Sequence, residues 1–282
     1  MEKEILKQFI ENALKEDVGN GDHTSLSTIP SDAIGKAKLL IKENGIISGV
    51  EIALQIFKAV DPHLKVDVKI NDGTAVKPND IVLYVNGKSQ SILLAERLVL
   101  NTMQRMSGIS TTTKRIVNLL EGTGTEVLDT RKTTPNFRFL EKEAVKIGGG
   151  VNHRFGLYDM ILIKDNHVDF AGGIEKAITS SQKYLKENNL NLQIEIEVRN
   201  LTELDQVLKI GGVDRILLDN FNFDDLKVAV KAINGKFKTE ASGNITEQNA
   251  LDYAKCGVDY ISMGALTHSI KSLDMSLKAV EL

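Results

Sequence analysis

The spacing of hydrophobic positions changes rhythm along this 282-residue chain, and each change predicts an element. In residues 2–16, Ile5, Leu6, Phe9, Ile10, Ala13 and Leu14 recur at helical spacing with Glu and Lys opposite, which predicts an amphipathic helix. Asp17 to Ser27 is turn-rich and reads as a loop, with His23 structural because no partner motif lies near it. Residues 35–50 alternate in part and predict strands with a turn at Asn44-Gly45. Glu51–Val60 returns to helical spacing. His63–Lys69 and Ile81–Gly87 alternate again, with turn signals at Asn71-Asp72-Gly73 and Lys77-Pro78-Asn79-Asp80. From Ser89 to Glu121 the pattern is helical, with Ile92, Ala95, Val99, Met103 and Met106 on one face and a break expected at Ser107-Gly108. These features predict an α+β domain over residues 1–112.

From Glu126 onward, short apolar runs alternate with helical segments. The runs are Glu126–Leu128, Met160–Ile163, Gln193–Val198, Arg215–Leu218, Lys238–Ala241 and Tyr260–Met263. Helical patterns fill most of the gaps, at Phe139–Ile147, Gly173–Glu187, Leu201–Lys209, Asp224–Ile233 and Thr246–Lys255. Alternation of this kind argues for parallel strands joined by crossover helices. About six units fit, short of the eight in a full β/α barrel. The expected fold is therefore α/β: an N-terminal α+β domain and an incomplete, six- to seven-stranded parallel β/α barrel over residues 113–268. A doubly wound open sheet is the alternative, and no G-x-G-x-x-G fingerprint supports it. A last helical pattern, Ser269–Val280, predicts a C-terminal helix (269–282) packing back on the first domain.

Composition narrows the function. At 42% hydrophobic and 26% charged, with a net charge of -3, the chain is globular in type and has no electrostatic footprint for nucleic acid. No apolar run reaches membrane-spanning length. One cysteine, Cys256, excludes an intrachain disulfide framework and a Cys-based zinc site, and points to a reducing cytoplasm. The N-terminal pattern is not that of a signal peptide. Against this mildly acidic background, the segment Asp129–His167 is rich in cations, among them Arg131, Lys132, Arg138, Arg154 and Lys164, together with His153. A local basic cluster favours a small anionic ligand over a long one.

In a β/α barrel the C-terminal strand ends converge on one face. Here they read Asp129-Thr130-Arg131-Lys132, Lys164-Asp165-Asn166-His167, Glu197-Val198-Arg199, Asp219-Asn220, Ser242-Gly243-Asn244 and Ser262-Met263-Gly264. Early strands supply cations that suit carboxylates or phosphates. Middle strands supply the carboxylates Glu197 and Asp219, which suit a divalent cation such as Mg²⁺ bridging to phosphate oxygens. Late strands supply glycines that let a phosphate approach backbone N–H groups. Bland readings compete at each position. Glu195 and Glu197 alternate on one strand, so both can be interior residues paired with Lys or Arg. Asp219-Asn220 can simply start a turn, and the glycine clusters can be cap geometry. Gly148-Gly149-Gly150 reads as a helix C-cap and loop.

At these residues the chain resembles the quinolinate phosphoribosyltransferase family, also called carboxylating nicotinate-nucleotide pyrophosphorylase. The matching stretches include Ala95-Glu96-Arg97, DTRKTTPNFR from Asp129, GGGVNHRFGLYDMILIKDNH from Gly148, EIEV from Glu195, LLDN from Leu217, EASGNI from Glu240 and GVDYISMGALTHS from Gly257. EDVGNGDHTS from Glu16 and ENGIISGV from Glu43 resemble the family's N-terminal domain. The resemblance implies transfer of phosphoribosyl from phosphoribosyl pyrophosphate to quinolinate with loss of CO₂, using Mg²⁺ and no organic cofactor, in de novo NAD synthesis. It implies a homodimer or a multiple of dimers. Carried over by position, Arg131, Arg154 and Lys164 hold the quinolinate carboxylates with Thr130, Lys132 and His153 beside them, and Arg97 reaches in from the partner chain. From pattern alone, Arg97 reads as part of a solvated helix face. Lys132, Glu197 and Asp219 take the catalytic roles. Glu197 and Asp219 face the ribose and the Mg-diphosphate, meeting the metal through substrate and water. Ser242, Gly243, Asn244, Ser262, Met263 and Gly264 cradle the 5-phosphate. Asn244 stands where the family pattern EASGGI has glycine. Choosing Glu197 over Glu195 depends on where a one-residue length difference is placed. Two other readings stay open: a sister transferase such as the molybdenum-locus homologue, since a fold does not fix a substrate, and a non-catalytic phosphosugar sensor. The cation set argues against the first, and the retained carboxylates against the second.

Overall fold

The computed structural model describes residues 2–280, which form two compact units. Of the described residues, the first unit comprises 2–114, 134–149 and 270–280; the second comprises 115–133 and 150–269. The N-terminal part of the first unit runs α1 (Glu2–Val18), α2 (His23–Thr28), β1 (Ile34–Ile41), β2 (Gly45–Ile46), α3 (Val50–Val60), β3 (Lys65–Val68), β4 (Ala75–Val76), β5 (Ile81–Lys88) and α4 (Ser89–Leu119). The following elements are β6 (Glu126–Leu128), α5 (Arg138–Ile147), β7 (Ile161–Ile163), α6 (Asp165–Ala171) and α7 (Ile174–Glu187). Then come β8 (Ile194–Val198), α8 (Leu201–Ile210), β9 (Arg215–Asp219), α9 (Phe223–Ile233), β10 (Lys238–Ser242), α10 (Ala250–Ala254), β11 (Tyr260–Ser262), α11 (Ala265–His268) and β12 (Met275–Val280).

The first unit is built on a four-stranded sheet ordered β12-β1-β5-β3, with antiparallel pairing throughout. Alternation in β1 turns Ala37, Leu39 and Ile41 inward, where they meet Ile56 and Phe57 of α3 and Val99 and Met103 of α4 in one apolar core. Asp72 caps α3 by accepting the N–H groups of Val50 (2.9 Å) and Glu51 (3.4 Å).

Four sequence expectations for this unit are corrected. The Asp17–Ser27 stretch contains a helix, α2. Its cap Asp22 accepts the Ser25 N–H at 3.0 Å, and six residues are too few to show a period. The helical pattern at 269–280 is a strand over Met275–Val280, paired with β1 from Met275↔Ile41 to Val280↔Lys36, and residues 281–282 lie outside the described residues. Its inward residues Met275 and Leu277 are two apart, a spacing that suits either period in so short a run. Residues 134–149, expected within the barrel, cluster with the first unit. There α5 buries Leu140, Ala144 and Val145, and its Glu141 takes Arg105 Nε at 2.8 Å. Finally, α4 runs unbroken through Ser107-Gly108. These two residues are interface devices rather than a stop. Ser107 Oγ accepts the Ser48 N–H at 2.9 Å and donates to the Ser48 carbonyl at 3.1 Å. Gly108 lies against the backbone of Lys271 and Ser272, where a Cβ would overlap the Lys271 carbonyl.

In the second unit, six parallel strands are ordered β6-β11-β10-β9-β8-β7. This is chain order read cyclically, with the last strand closing on the first and a seam between β6 and β7. Beside that seam, Val151 makes a single parallel bridge to Leu128. Buried on both faces, β8 reads as an unbroken buried run, and Glu195 and Glu197 point to one side while Ile194, Ile196 and Val198 point to the other. The result is the expected mixed α/β fold with an incomplete barrel. Helix α6, a single short element directly after β7, was not visible in the pattern.

Gly108→Ala adds a methyl group against backbone that cannot rotate away. We expect a net loss of about 1–3 kcal/mol despite the better helix propensity of alanine, read as a lower urea midpoint with unchanged slope.

Candidate active site

The strand ends of the second unit place their functional residues in three groups. The first is cationic. Val151 takes its N–H to the Val127 carbonyl (2.9 Å) and gives its carbonyl to the Asp129 N–H (3.2 Å). The Asn152-His153-Arg154 segment is thereby laid beside the end of β6. Buried Asp129 accepts the His153 N–H at 2.8 Å. Arg154 is buried, donates from Nη1 to the Met160 carbonyl at 3.1 Å, and has its pKa lowered by burial and by the nearby charge of Arg131. Two guanidiniums close enough to repel one another mark a place suited to an anion with more than one charge. Arg131 and Lys164 are exposed in this structure. Arg138, the remaining cation of the sequence cluster, opens α5 and belongs to the first unit.

The second group is acidic. Glu197 ends β8 and Asp219 ends β9. Burial raises the Glu197 pKa, and the charge of Asp219 raises it further, while Lys164 opposes the shift with its Nζ 3.9 Å from Glu197 Oε2. Asp219 Oδ1 accepts from Ser242 Oγ at 2.5 Å and Oδ2 from Asn220 Nδ2 at 2.7 Å, so its carboxylate is held in one orientation. A carboxylate whose proton affinity is raised by a second one beside it fits a divalent cation arriving with phosphate oxygens, which needs one or two such groups. Glu195, the rival of Glu197, sits deeper on the same face of β8 and is fully buried. Arg199 is occupied by Glu203 (2.7 Å) and Asp169 (3.2 Å).

The third group follows β10 and β11. Gly243 takes φ 96° and Asn244 φ 51°, both left-handed. Asparagine is the non-glycine residue that visits this region most readily, which explains how Asn244 replaces the glycine of the family pattern. Asn244 Nδ2 also donates to Asn220 Oδ1 at 3.3 Å, tying the β10 loop to the β9 loop. Lys132 belongs with this group more than with the other cations. Its carbonyl accepts from Thr267 Oγ1 at 2.8 Å and its side chain crosses the face of Gly264, with Thr130 Oγ1 accepting the Lys132 N–H at 3.0 Å.

Beneath the strand ends lies a buried polar cluster. His153 Nε2 is 2.9 Å from Glu195 Oε2 and 3.4 Å from Glu240 Oε2, and Arg215 Nη1 is 3.0 Å from Glu240 Oε2. One Nε2–H between two carboxylates points straight at neither, and both oxygens of Glu195 lack a well-directed partner. Burial, then the Glu240 charge, pushes Glu195 up to about 7. Burial also works to raise Glu240, but contacts from His153, Ser262 and Arg215 outweigh it and hold that group low. Burial disfavours the charged His153 ring, and the two carboxylates, acting on charge alone, would pull the group up to about 9 if a second ring hydrogen could be accommodated. The only place for a second ring hydrogen is Nδ1, and that atom already accepts the Arg154 N–H at 2.7 Å. The geometry therefore keeps the ring neutral, and Glu195 is the group in the cluster that takes up a proton. These three side chains are also the one His/Asp/Glu group among the described residues compact enough to surround a metal ion. Arg215 already supplies a positive charge at Glu240. Sequence reading did not place Glu240 or Arg215 in the site. The available signal was a charged residue inside an otherwise buried strand run, as in Lys238–Ser242.

An incomplete β/α barrel with cations, paired carboxylates and glycine turns at its strand ends defines a class: barrel enzymes acting on small, multiply anionic, phosphorylated substrates. Residues 22–107 match the N-terminal domain and residues 109–278 the C-terminal domain of quinolinate phosphoribosyl transferase, and the chain belongs to that family. It is 47% identical over 288 residues to quinolinate phosphoribosyltransferase [decarboxylating] 1b of Nicotiana tabacum, covering 97% of this chain and 82% of that one. It is 38% identical over 272 residues to the probable nicotinate-nucleotide pyrophosphorylase [carboxylating] of Bacillus subtilis, covering 96% and 92%. Among solved structures, the nicotinate-nucleotide pyrophosphorylase of Francisella tularensis superposes with a TM-score of 0.92 at 39% identity, covering 98% of this chain and 96% of that one.

Removing Arg215 leaves the Glu240 charge buried without its cation. Arg215→Met should lower stability by about 3 kcal/mol in urea denaturation, and adding Glu240→Gln should recover part of the loss.

Proposed function

We propose that this protein transfers phosphoribosyl from phosphoribosyl pyrophosphate to quinolinate, releasing pyrophosphate and CO₂ and forming nicotinate mononucleotide for NAD synthesis. The observation that carries the reading is the division of the strand ends. Mutually repelling Arg131 and Arg154 mark a dianion pocket, and Lys164 bridges from it toward the Glu197–Asp219 pair. Quinolinate is a dicarboxylate. The second substrate carries a monophosphate and a diphosphate on one ribose, matching the left-handed turns at Gly243 and Asn244 and the acidic pair.

The residues divide the reaction accordingly. Arg131, Arg154 and Lys164 bind the pyridine carboxylates and orient the ring nitrogen. Ser242, Gly243, Asn244, Ser262, Met263 and Gly264 hold the 5-phosphate, with Lys132 as a point charge across Gly264. Glu197 and Asp219 are the residues that would hold Mg²⁺, which would supply positive charge to offset the departing diphosphate. As the C1–O bond breaks, its electron pair leaves with pyrophosphate, and the oxocarbenium-like ribosyl centre is stabilised by the carboxylates of Glu197 and Asp219. The ring nitrogen lone pair then forms the C–N bond. The resulting pyridinium accepts the electron pair of the adjacent C–CO₂⁻ bond as CO₂ departs, and a proton takes its place on the ring carbon.

The working unit in this proposal is a homodimer, or a multiple of dimers, in the cytoplasm. Arg97 is exposed on α4 one turn from Leu93, itself 40% exposed, a pairing that suits a surface covered by a second copy. The single cysteine, Cys256, is free and buried, and no described helix is long and apolar enough to cross a membrane.

Direct assay of nicotinate mononucleotide and CO₂ from the purified protein tests the reaction. Lys164→Ala and Lys164→Gln should weaken quinolinate binding by about 1.5–3 kcal/mol in titration calorimetry and leave phosphoribosyl pyrophosphate binding nearly unchanged. Asp219→Asn should show the opposite selectivity. Sharing of Arg97 across the dimer is tested by subunit mixing. Arg97→Ala and Lys132→Ala should each be inactive alone, and after random exchange about a quarter of all sites should be intact. No recovered activity after demonstrated exchange would return Arg97 to its own chain.

A further inference from the structure

The buried cluster holds the one site histidine with both ring nitrogens committed inside the protein. Nε2 faces Glu195 at 2.9 Å and Glu240 at 3.4 Å, and Nδ1 accepts the N–H of the next residue, Arg154, at 2.7 Å. The ring is 9% exposed. Its own N–H goes to buried Asp129 at 2.8 Å, so the residue is fixed by backbone and by both edges of the ring. A ring so engaged has no nitrogen left for a carboxylate of the substrate. What it does control is the peptide that starts Arg154.

We propose that His153 is a positioning residue rather than a substrate contact: Glu195 and Glu240 hold it as the neutral Nε2–H tautomer, and its Nδ1 thereby aims Arg154. The proposal deepens the functional reading above and rests on it for the role of Arg154. The chain of contacts is continuous. Arg215 pairs with Glu240 at 3.0 Å and its guanidinium lies 4.5 Å from the centre of the Tyr260 ring, which anchors the far end of the cluster. Glu195 and Arg215 are register partners on adjacent strands β8 and β9, and Glu240 pairs with Tyr260 between β10 and β11. The two carboxylates thus come from strands with β9 between them and converge on one ring hydrogen. At the other end, Arg154 has its guanidinium pinned to the Met160 carbonyl at 3.1 Å. With its N–H on the imidazole, the side chain is fixed at its root and near its tip. The tautomer matters because the other one would present N–H to the Arg154 N–H and leave a bare Nε2 facing two carboxylates.

The two nitrogens can be tested separately, because amide side chains imitate them one at a time. His153→Asn offers an acceptor oxygen near the Nδ1 position, and His153→Gln offers a donor near Nε2. If Nδ1 aims Arg154, His153→Asn should keep the KM for quinolinate within about threefold of wild type. His153→Gln and His153→Ala should raise it roughly tenfold or more, the scale of a lost charge-assisted contact. The KM for phosphoribosyl pyrophosphate should be unchanged in all three. Equal losses in Asn and Gln variants, or a loss confined to kcat, would overturn the proposal. A spectroscopic measurement on the wild-type protein stands apart from activity. With ¹⁵N-histidine labelling of the wild-type protein at neutral pH, and assignment by difference from His153→Asn, the His153 signals should show a protonated Nε2 and an unprotonated Nδ1. An imidazolium, or the Nδ1–H tautomer, would overturn it. Failure of the functional reading would look different: the wild type would bind no quinolinate, while the tautomer signal would still report on the cluster.

Discussion

Two carboxylates buried beneath a ring of strand ends impose the constraint from which the site follows. Glu195 and Glu240 are 0% and 1% exposed, and neither could persist as a bare charge in that environment. Arg215 compensates one, and His153 stands between both. These partners come from three strands and the segment beside the β6–β7 seam, so satisfying the charges also fixes how those pieces sit in the barrel. An apolar interior could close the ring with similar stability. It could not hold a histidine in one tautomer with an arginine directly after it.

The layering then explains why adjacent residues with like chemistry differ in role. On β8, Glu195 and Glu197 share a face, but two residues of rise separate a carboxylate in the interior from one at the rim. The deeper one meets His153, and the outer one meets Lys164 and Asp219. The same step occurs on β10, where Glu240 lies deep and Ser242 at the rim donates to Asp219. Both β8 and β10 thus carry a buried polar layer below and a rim layer above, with alternation alone separating them.

This is also where sequence reading stopped. Strand periods, the parallel order and the cation, acid and glycine sequence of the strand ends were legible, because each lies in a contiguous run with a simple period. The Glu195–His153–Glu240–Arg215 cluster was not. Its members are spread from residue 153 to residue 240 and meet only when register is set between strands, as in Glu195↔Arg215. The C-terminal strand was misread for a related reason. A run such as MSLKAV supports either period until β1 supplies an edge to pair with. The Gly108 reading failed because propensity sees a helix breaker, whereas packing uses the missing side chain to let another backbone approach. Residues 134–149 cluster with the first unit although they lie between barrel strands in the chain, because chain order is a poor guide to which core a helix joins.

The replacement at Asn244 shows how the upper layer tolerates change that the lower layer resists. Position 244 needs a left-handed backbone and little else, since its side chain is exposed and reaches only Asn220. Asparagine meets that need at small cost, so it can stand in for glycine without moving the turn. Position 240, two strand residues before the turn, has no such freedom. A neutral or shorter side chain there would leave half-buried Arg215 without its charge partner and would remove one of the two carboxylates facing His153 Nε2. The geometry of the rim thus depends on charges buried beneath it.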